Sequence, residues 1–312
     1  MVKAEGLPIE VIKSIHEKDF KTPVISITGG KGGTGKTTVA VNLAVALADA
    51  GYKAALADAD VDAPNAAILL GISLDNPDDV FITIPLIDKD KCTSCGDCVK
   101  ACRRNALFMP KGKPPILMGE CNGCEACILI CPSDAIERGK RAVGRTYRSE
   151  MQNLTIFTGE LTPGIEESSF VVNALKERLF KKAGDFDIII IDTSPGAHCN
   201  VINALRGSDE AFAVTEPTPL GAHDLKLILG LLHILQVRSN IILNRSDLPG
   251  IKGQIESVMK IYNAGISIDI PMDDLLVRSY VEGTPVVRMY PEAESSLRIS
   301  KLAKEIIQRH LT

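Results

Sequence analysis

No run in this chain approaches the roughly 18 consecutive apolar residues of a membrane-spanning helix, so an integral membrane protein is not expected. The opening residues, Met1 to Phe20, are charged throughout and lack an apolar centre, which argues against a secretory signal. Net charge is only −4, giving no general pull toward nucleic acid or anionic lipid. No low-complexity segment occurs. With 45% apolar and 24% charged residues, the composition excludes a disordered, collagen-like or coiled-coil chain. The expected location is the cytoplasm, and 312 residues suffice for one large domain or two smaller ones.

Cysteine is the exception to this ordinary composition. There are nine, and eight of them lie between Cys92 and Cys131. A reducing compartment disfavours structural disulfides, so a cluster of this kind argues for metal.

Val24 to Thr28 is a short β-branched run that stops at Gly29 and Gly30, and Val39 to Ala50 reads as a helix rich in alanine and leucine. Further strands are expected at Ala54–Asp58, Ile188–Asp192, Ala211–Thr215, Ile241–Asn244 and Ile266–Ile270, with helices at Glu166–Lys182, Ala222–Leu235 and Ile251–Asn263 between them. Four successive isoleucines in Asp187 to Asp192 suit a strand buried on both faces. The pattern predicts an α/β fold, a doubly wound parallel sheet. Between about Phe81 and Arg145 it breaks, and cysteines, lysines and the turn pair Pro114–Pro115 take over. This stretch reads as a small α+β module inserted into a surface loop.

Gly30-Lys31-Gly32-Gly33-Thr34-Gly35-Lys36-Thr37 satisfies G-x4-G-K-[ST] between a strand and a helix. Such glycines turn successive backbone N–H groups around an anion, and the helix starting near Lys36 adds its positive end. Lys36 is expected on the β and γ phosphates of ATP, with Thr37 on Mg²⁺ and Thr38 beside it. The second lysine, Lys31, makes the motif a deviant Walker A, and the stretch resembles the MinD, Mrp and nitrogenase iron protein group of P-loop ATPases. That resemblance implies an ATP-dependent dimer, of two copies or with a paralogue, in which Lys31 crosses to the partner's nucleotide and supplies charge as an arginine finger does.

The resemblance extends to two acidic motifs. Asp58-Ala59-Asp60-Val61-Asp62-Ala63-Pro64 is similar to the group's switch I, implying that Asp60 orients the attacking water and Asp58 sits near Mg²⁺. Asp62 competes with Asp60 on spacing alone, and a plain helix cap is the lesser alternative for the strand-terminal aspartates, Asp58 more than Asp192. Asp192-Thr193-Ser194-Pro195-Gly196 looks like Walker B with switch II. It implies that Asp192 holds Mg²⁺ and that Gly196 senses the γ-phosphate. Asn244, at a strand end, matches the adenine-side asparagine, although an asparagine there is also an ordinary turn residue.

Cys92–Cys102 and Cys121–Cys131 share the spacing C-x2-C-x2-C-x3-C at an offset of 29 residues, so the module is expected to have a pseudo-twofold axis. The spacing, with Pro132 after the second set, resembles a bacterial ferredoxin carrying two [4Fe–4S] clusters. In that arrangement the fourth cysteine of each run ligates the other cluster. The resemblance implies one cluster on Cys92, Cys95, Cys98 and Cys131, and another on Cys102, Cys121, Cys124 and Cys127. Arg103 stands where a proline often follows. Zinc is the alternative, although its sites usually pair two C-x2-C knuckles across a longer gap. Cys199, seven residues after Asp192, occupies the offset of a cluster ligand in the nitrogenase iron protein. With no second cysteine outside the insert to complete such a bridge, it stays open as a free thiol, a contact near the clusters, or a transient ligand.

Arg138, Lys140, Arg141, Arg145 and Arg148 read as a solvated linker leaving the module, or as a guide for an acidic partner. The final helix puts Ile299, Leu302, Ile306 and Leu311 on one face. MinD holds membrane with such a helix. Here small aliphatics without tryptophan or phenylalanine favour packing on the sheet. The expected organisation is an N-terminal helical extension (1–21), a P-loop ATPase domain in two pieces (22–83 and 146–312) and a ferredoxin-like insert (84–145). The expected function is an ATPase that couples nucleotide to electron transfer to a redox partner. Delivery of an iron–sulfur or other metal cluster to an acceptor, as in the Mrp branch, is the runner-up, and MinD-type positioning the third reading.

Overall fold

A computed structural model describes residues 16–250 and 252–312. Of the helix expected over residues 1–21, residues 1–15 lie outside that range, and residues 17–21 run without regular structure toward the first strand.

In chain order the first half comprises β1 (Val24–Thr28), α1 (Lys36–Asp49), β2 (Ala54–Ala59), α2 (Ala66–Leu69), β3 (Asp78–Ile87), α3 (Asp97–Ala101), β4 (Leu107–Phe108), β5 (Ile116–Leu117), α4 (Ala126–Leu129), β6 (Ile136–Met151) and β7 (Leu154–Leu161). The second half comprises α5 (Ser168–Phe180), β8 (Ile188–Thr193), α6 (Cys199–Leu205), β9 (Glu210–Thr215), α7 (Pro219–Ile234), β10 (Arg238–Asn244), α8 (Lys252–Tyr262), β11 (Ile266–Ile270), α9 (Asp274–Val281), α10 (Val286–Met289) and α11 (Glu294–His310).

Nine strands form one sheet in the order β11-β10-β9-β1-β8-β2-β7-β6-β3. From β11 to β7 neighbours run parallel, and β6 and β3 add an antiparallel arm at one edge. Period-two alternation sorts the isoleucine strand β8 between two cores. Ile188 and Ile190 pack with Leu43 and Leu47 of α1 and Ile299, Leu302 and Ile306 of α11. Ile189 and Ile191 pack with Val171, Val172, Leu175 and Leu179 of α5. Helices therefore cover both faces. The apolar stripe of α11 is spent on the first core, as its small aliphatics led us to expect, and none of the helices in the described residues is long and apolar enough to cross a membrane.

Three strands of the large sheet escape a reading based on apolar runs: β3, β6 and β7. The cationic residues Arg138 to Arg148, expected in a linker, instead belong to β6. Its charged side chains are exposed or half-buried between buried Ile136, Val143, Thr146 and Ser149, and its arginines are paired. Arg138 Nε donates to Glu125 Oε2 at 2.9 Å, Arg145 Nε to Asp79 Oδ1 at 2.8 Å, and Arg141 Nη2 to Glu120 Oε2 at 3.3 Å and to the Cys121 carbonyl at 3.1 Å. An edge ribbon needs only one apolar face, and charge on the other discourages pairing with other chains. Residues 84–87 and 136–145, read from sequence as part of the insert, are thus strand residues of the large sheet. Residues 88–135 hang from the end of that ribbon.

Candidate functional site

β1 feeds the glycine loop, and α1 begins at Lys36. Gly33 and Gly35 take φ of 77° and 93°, a left-handed backbone that disfavours any other residue. A Cβ on Gly30 would stand 2.5 Å from Asp224 Cβ, so the loop rests directly on α7. Lys36 is 6% exposed and its Nζ donates to the Lys31 carbonyl at 2.9 Å. Burial pulls its pKa down, while Asp192 and Asp60 pull it back up.

Three aspartates stand near the phosphate loop in different surroundings, and two of them, Asp60 and Asp192, act on this lysine. Asp58 is fully buried, and its carboxylate accepts from the backbone N–H groups of Asp60 (3.2 Å), Asn65 (2.9 Å) and Ala66 (2.9 Å). It therefore caps the short helix α2 and fixes the 60–66 loop. Burial pushes its pKa up to about 7 against those hydrogen bonds. Asp192 is equally buried, yet neither carboxylate oxygen makes a hydrogen bond of good geometry. Burial, with Asp58 beside it, drives its pKa well above the usual range, while the Thr37 hydroxyl and Lys36 act in the opposite direction. Two orphaned carboxylate oxygens next to Thr37 suit a hard divalent cation such as Mg²⁺. Asp60 lines the adjoining cavity, and burial raises its pKa. Asp62, its competitor on spacing, is exposed.

The cavity has a volume of about 450 Å³ and is walled by Gly32, Gly33, Gly35, Lys36, Thr37 and Thr38 on one side and by Asp60, Pro195, Asn244 and Arg245 on others. Pro271, Met272, Leu276, Val277 and Tyr280, from the β11–α9 turn and α9, close it with an apolar wall. That wall went unread in the sequence, where its only signal is the proline ending β11. Gly196 reaches back to the loop through an N–H bond to the Gly29 carbonyl at 3.0 Å. Asn244 lines the cavity, but its amide is engaged internally: Nδ2 donates to the Thr34 carbonyl at 2.8 Å, and Oδ1 accepts from Arg245 N at 3.0 Å. Lys31 does not line the cavity. Its Nζ lies 3.2 Å from Glu216 Oε2 of the same chain.

The cysteine segment folds as the repeat suggests. Left-handed φ values recur at the 29-residue offset: Ser94 and Gly123, Gly96 and Glu125, Asn105 and Asp134. Hydrogen bonds repeat too. Ala106 N donates to Cys102 Sγ and Ala135 N to Cys131 Sγ, both at 3.3 Å. Two cavities result. One is lined by Cys102, Cys121, Cys124 and Cys127, and the other by Cys92, Cys95, Cys98 and Cys131. The fold thus sorts the eight thiols into two crossed sets of four. Burial pushes the Cys127 thiol up to about 11, with Cys121 and Cys124 adding to it. Burial likewise raises Cys98, reinforced by Cys95, Cys131 and Cys92. Among the described residues no group of three or more His, Cys, Asp or Glu is arranged to hold a metal ion. Zinc sites usually pair two C-x2-C knuckles across a longer gap, whereas each set of four here takes three cysteines from one half of the repeat and one from the other. Cys199, the first residue of α6, is exposed and lines neither of those cavities.

Parallel sheet, phosphate-type loop and buried strand-end aspartates together define a P-loop nucleotide-binding protein. Residues 25–286 match the CobQ/CobB/MinD/ParA nucleotide binding domain, and the chain belongs to that family of P-loop ATPases. An uncharacterized protein of Methanocaldococcus jannaschii is 32% identical over 261 residues, spanning 83% of this chain and 90% of its own. The septum site-determining protein MinD of Synechocystis sp. is 28% identical over 293 residues, spanning 92% and 88%. Among solved structures, MinD of Pyrococcus horikoshii complexed with Mg-ADP superposes with a TM-score of 0.56 at 23% identity, over 91% of this chain and 96% of that one. This last likeness shows the fold.

Proposed function

We propose that the chain is a cytoplasmic, Mg-ATP-dependent, dimerising ATPase that carries two [4Fe–4S] clusters and couples ATP binding and hydrolysis to electron transfer to a partner protein. The nucleotide half rests on the family and on the cavity. Gly30 to Thr38 wrap the phosphates, Lys36 neutralises the β and γ groups, and Thr37 and Asp192 hold Mg²⁺ with Asp58 behind them. Asp60 orients the attacking water, Gly196 reads the γ-phosphate, and Lys31 completes the site of a second subunit. Asn244 meets the base after giving up its bond to Thr34.

The observation that carries the redox half is the pair of crossed four-thiolate cavities on a ribbon continuous with the nucleotide-binding sheet. Thiolates in fours are the ligand set of [4Fe–4S] clusters, which when bound supply one-electron transfer. The apolar core of this segment is small, centred on Cys98, Leu107, Cys127 and Ile136. A module that small needs a staple, and inorganic clusters would provide it. The N–H···S bonds from Ala106 and Ala135 are of the kind that tune cluster potentials. Anaerobic purification should yield about eight iron and eight sulfide per chain, two [4Fe–4S] centres. An EPR redox titration with and without Mg-ATP then tests coupling: a shift of about 59 mV corresponds to a tenfold change for a one-electron couple. No iron after anaerobic preparation and reconstitution would sink the redox half.

The names of relatives such as the Synechocystis protein favour a second reading, a MinD-type positioning ATPase. Against it stands α11, whose Ile299, Leu302 and Ile306 are already buried in the core. ATP-dependent binding to liposomes or to DNA would decide for positioning.

A further inference from the structure

At the end of β9 a buried carboxylate holds two cations from opposite ends of the sequence. Glu216 is 5% exposed. Its Oε2 lies 3.2 Å from Lys31 Nζ, and its Oε1 pairs with Arg245 Nη1. The backbone under it is fixed: Thr218 N donates to the Glu216 carbonyl at 2.8 Å, and α7 passes so close that a Cβ on Gly221 would stand 2.3 Å from that same oxygen. The cations are differently placed. Arg245 lines the nucleotide cavity and follows Asn244, whereas Lys31, one of the two lysines in the phosphate loop, is turned away from it.

We propose that Glu216 is a positioning residue that sequesters Lys31, so that nucleotide phosphates compete with it for that cation. The double pairing is what makes the hold releasable. A buried carboxylate with one partner would be stranded if that partner left. Here the Arg245 guanidinium, planar and multidentate, keeps Glu216 neutralised when Lys31 swings out. Each added phosphate charge strengthens the competitor, so the arrangement discriminates triphosphate from diphosphate. The inference rests on the nucleotide reading of the cavity and not on the clusters.

The test measures Mg-AMP-PNP and Mg-ADP binding by calorimetry, with steady-state ATPase kinetics, for wild type, Glu216→Gln, Lys31→Ala and the double variant. Glu216→Gln should tighten AMP-PNP about tenfold, tighten ADP less, and lower KM more than it changes kcat. In the double variant that gain should vanish, a non-additive cycle. Unchanged or weaker AMP-PNP binding in a folded Glu216→Gln, or an additive cycle, overturns the proposal. Should Glu216→Gln not fold, Lys31→Ala decides alone. Its thermal unfolding should match wild type, because Arg245 still pairs Glu216, and a marked loss of Tm overturns the releasable hold. Wild type that binds neither nucleotide would instead refute the nucleotide reading itself.

Discussion

Asp58 and Asp192 stand in register on the neighbouring parallel strands β2 and β8, both fully buried beneath the phosphate loop. One is fully committed and the other is not: Asp58 spends its oxygens on three backbone N–H groups, while those of Asp192 make no hydrogen bond of good geometry. Burial raises both pKa values, Asp58 to about 7. A carboxyl with a raised folded pKa favours the fold fully below its unfolded pKa, and that contribution is lost as pH climbs through the folded value. The nucleotide-free protein should therefore lose this contribution between about pH 4 and pH 7, on account of Asp58. Asp192→Asn, which removes the ionisable group without breaking any backbone hydrogen bond, should stabilise the nucleotide-free protein at pH 8. The expected gain is on the order of 1–3 kcal/mol, the penalty of an unsatisfied buried group. The same variant should lose Mg²⁺-dependent hydrolysis. Denaturant unfolding at pH 5 and pH 8, alongside an ATPase assay, checks both outcomes.

Lys176 of α5 is a buried amine with a task. Its Nζ donates to the carbonyls of Asn203 (2.7 Å), Ala204 (3.1 Å) and Arg206, capping the C-terminal end of α6. The N-terminal flank of α5 meanwhile holds the cysteine segment through Glu167, 2.6 Å from Arg104. Burial, with Arg206 adding, pushes the Lys176 amine down to about 7. The unfolded chain keeps this proton to about pH 10.5, so its contribution to stability grows as pH rises from 7 toward 10.5 and is lost as pH falls through 7. Lys176→Met should destabilise by about 1–3 kcal/mol, because it orphans buried carbonyls. The deficit should be larger at pH 9 than at pH 6.5. Equal losses at both pH values would refute the titration argument.

Much of this was legible in residue order because the physics was local. β1 and β11 begin and end where their β-branched runs do, β8 extends two residues beyond its isoleucines, and the cysteine repeat foretold a backbone repeat down to Gly96 and Glu125. The edge ribbon was not legible, since β6 buries one face and its arginines mask the period. Nor did sequence distinguish Asp60 from Asp62, a choice made by which side chain the Asp58-capped loop turns inward. Glu216, Lys31 and Arg245 lie too far apart in the chain for any local pattern to connect them. The same holds for Lys176 and the carbonyls of α6.

The two loop lysines should separate by function. Lys36 is buried against Asp60 and Asp192 and lines the cavity, while Lys31 is held outside it. Lys36→Ala should abolish nucleotide binding, a loss of more than about 100-fold in affinity for the phosphate contacts. Lys31→Ala should keep binding but lose hydrolysis and ATP-dependent dimerisation, in line with the ~10³-fold or greater effect of a cation supplied across an interface. Calorimetry with Mg-AMP-PNP and light scattering with Mg-ATP separate the two steps. A Lys31→Ala protein that hydrolyses ATP normally would end the cross-subunit role.

The crossed cavities make a prediction that ligand spacing alone does not. Cys131 is sequence-adjacent to Cys121, Cys124 and Cys127, yet it lines the cavity of Cys92, Cys95 and Cys98. Cys131→Ser and Cys92→Ser should therefore lose the same cluster, and Cys102→Ser and Cys121→Ser the other. On the proposed reading each variant should keep about half the iron, because each set of four thiolates would hold its own cubane. Iron and sulfide analysis gives the amounts, and EPR of the surviving centre shows which one remains. If Cys131→Ser instead shares the spectrum of Cys121→Ser, ligation follows the linear motif and the cavities have been read the wrong way round. Loss of either cluster should also expose residues 88–135 to protease, since the small core around Leu107 and Ile136 lacks the apolar area to hold that segment by itself.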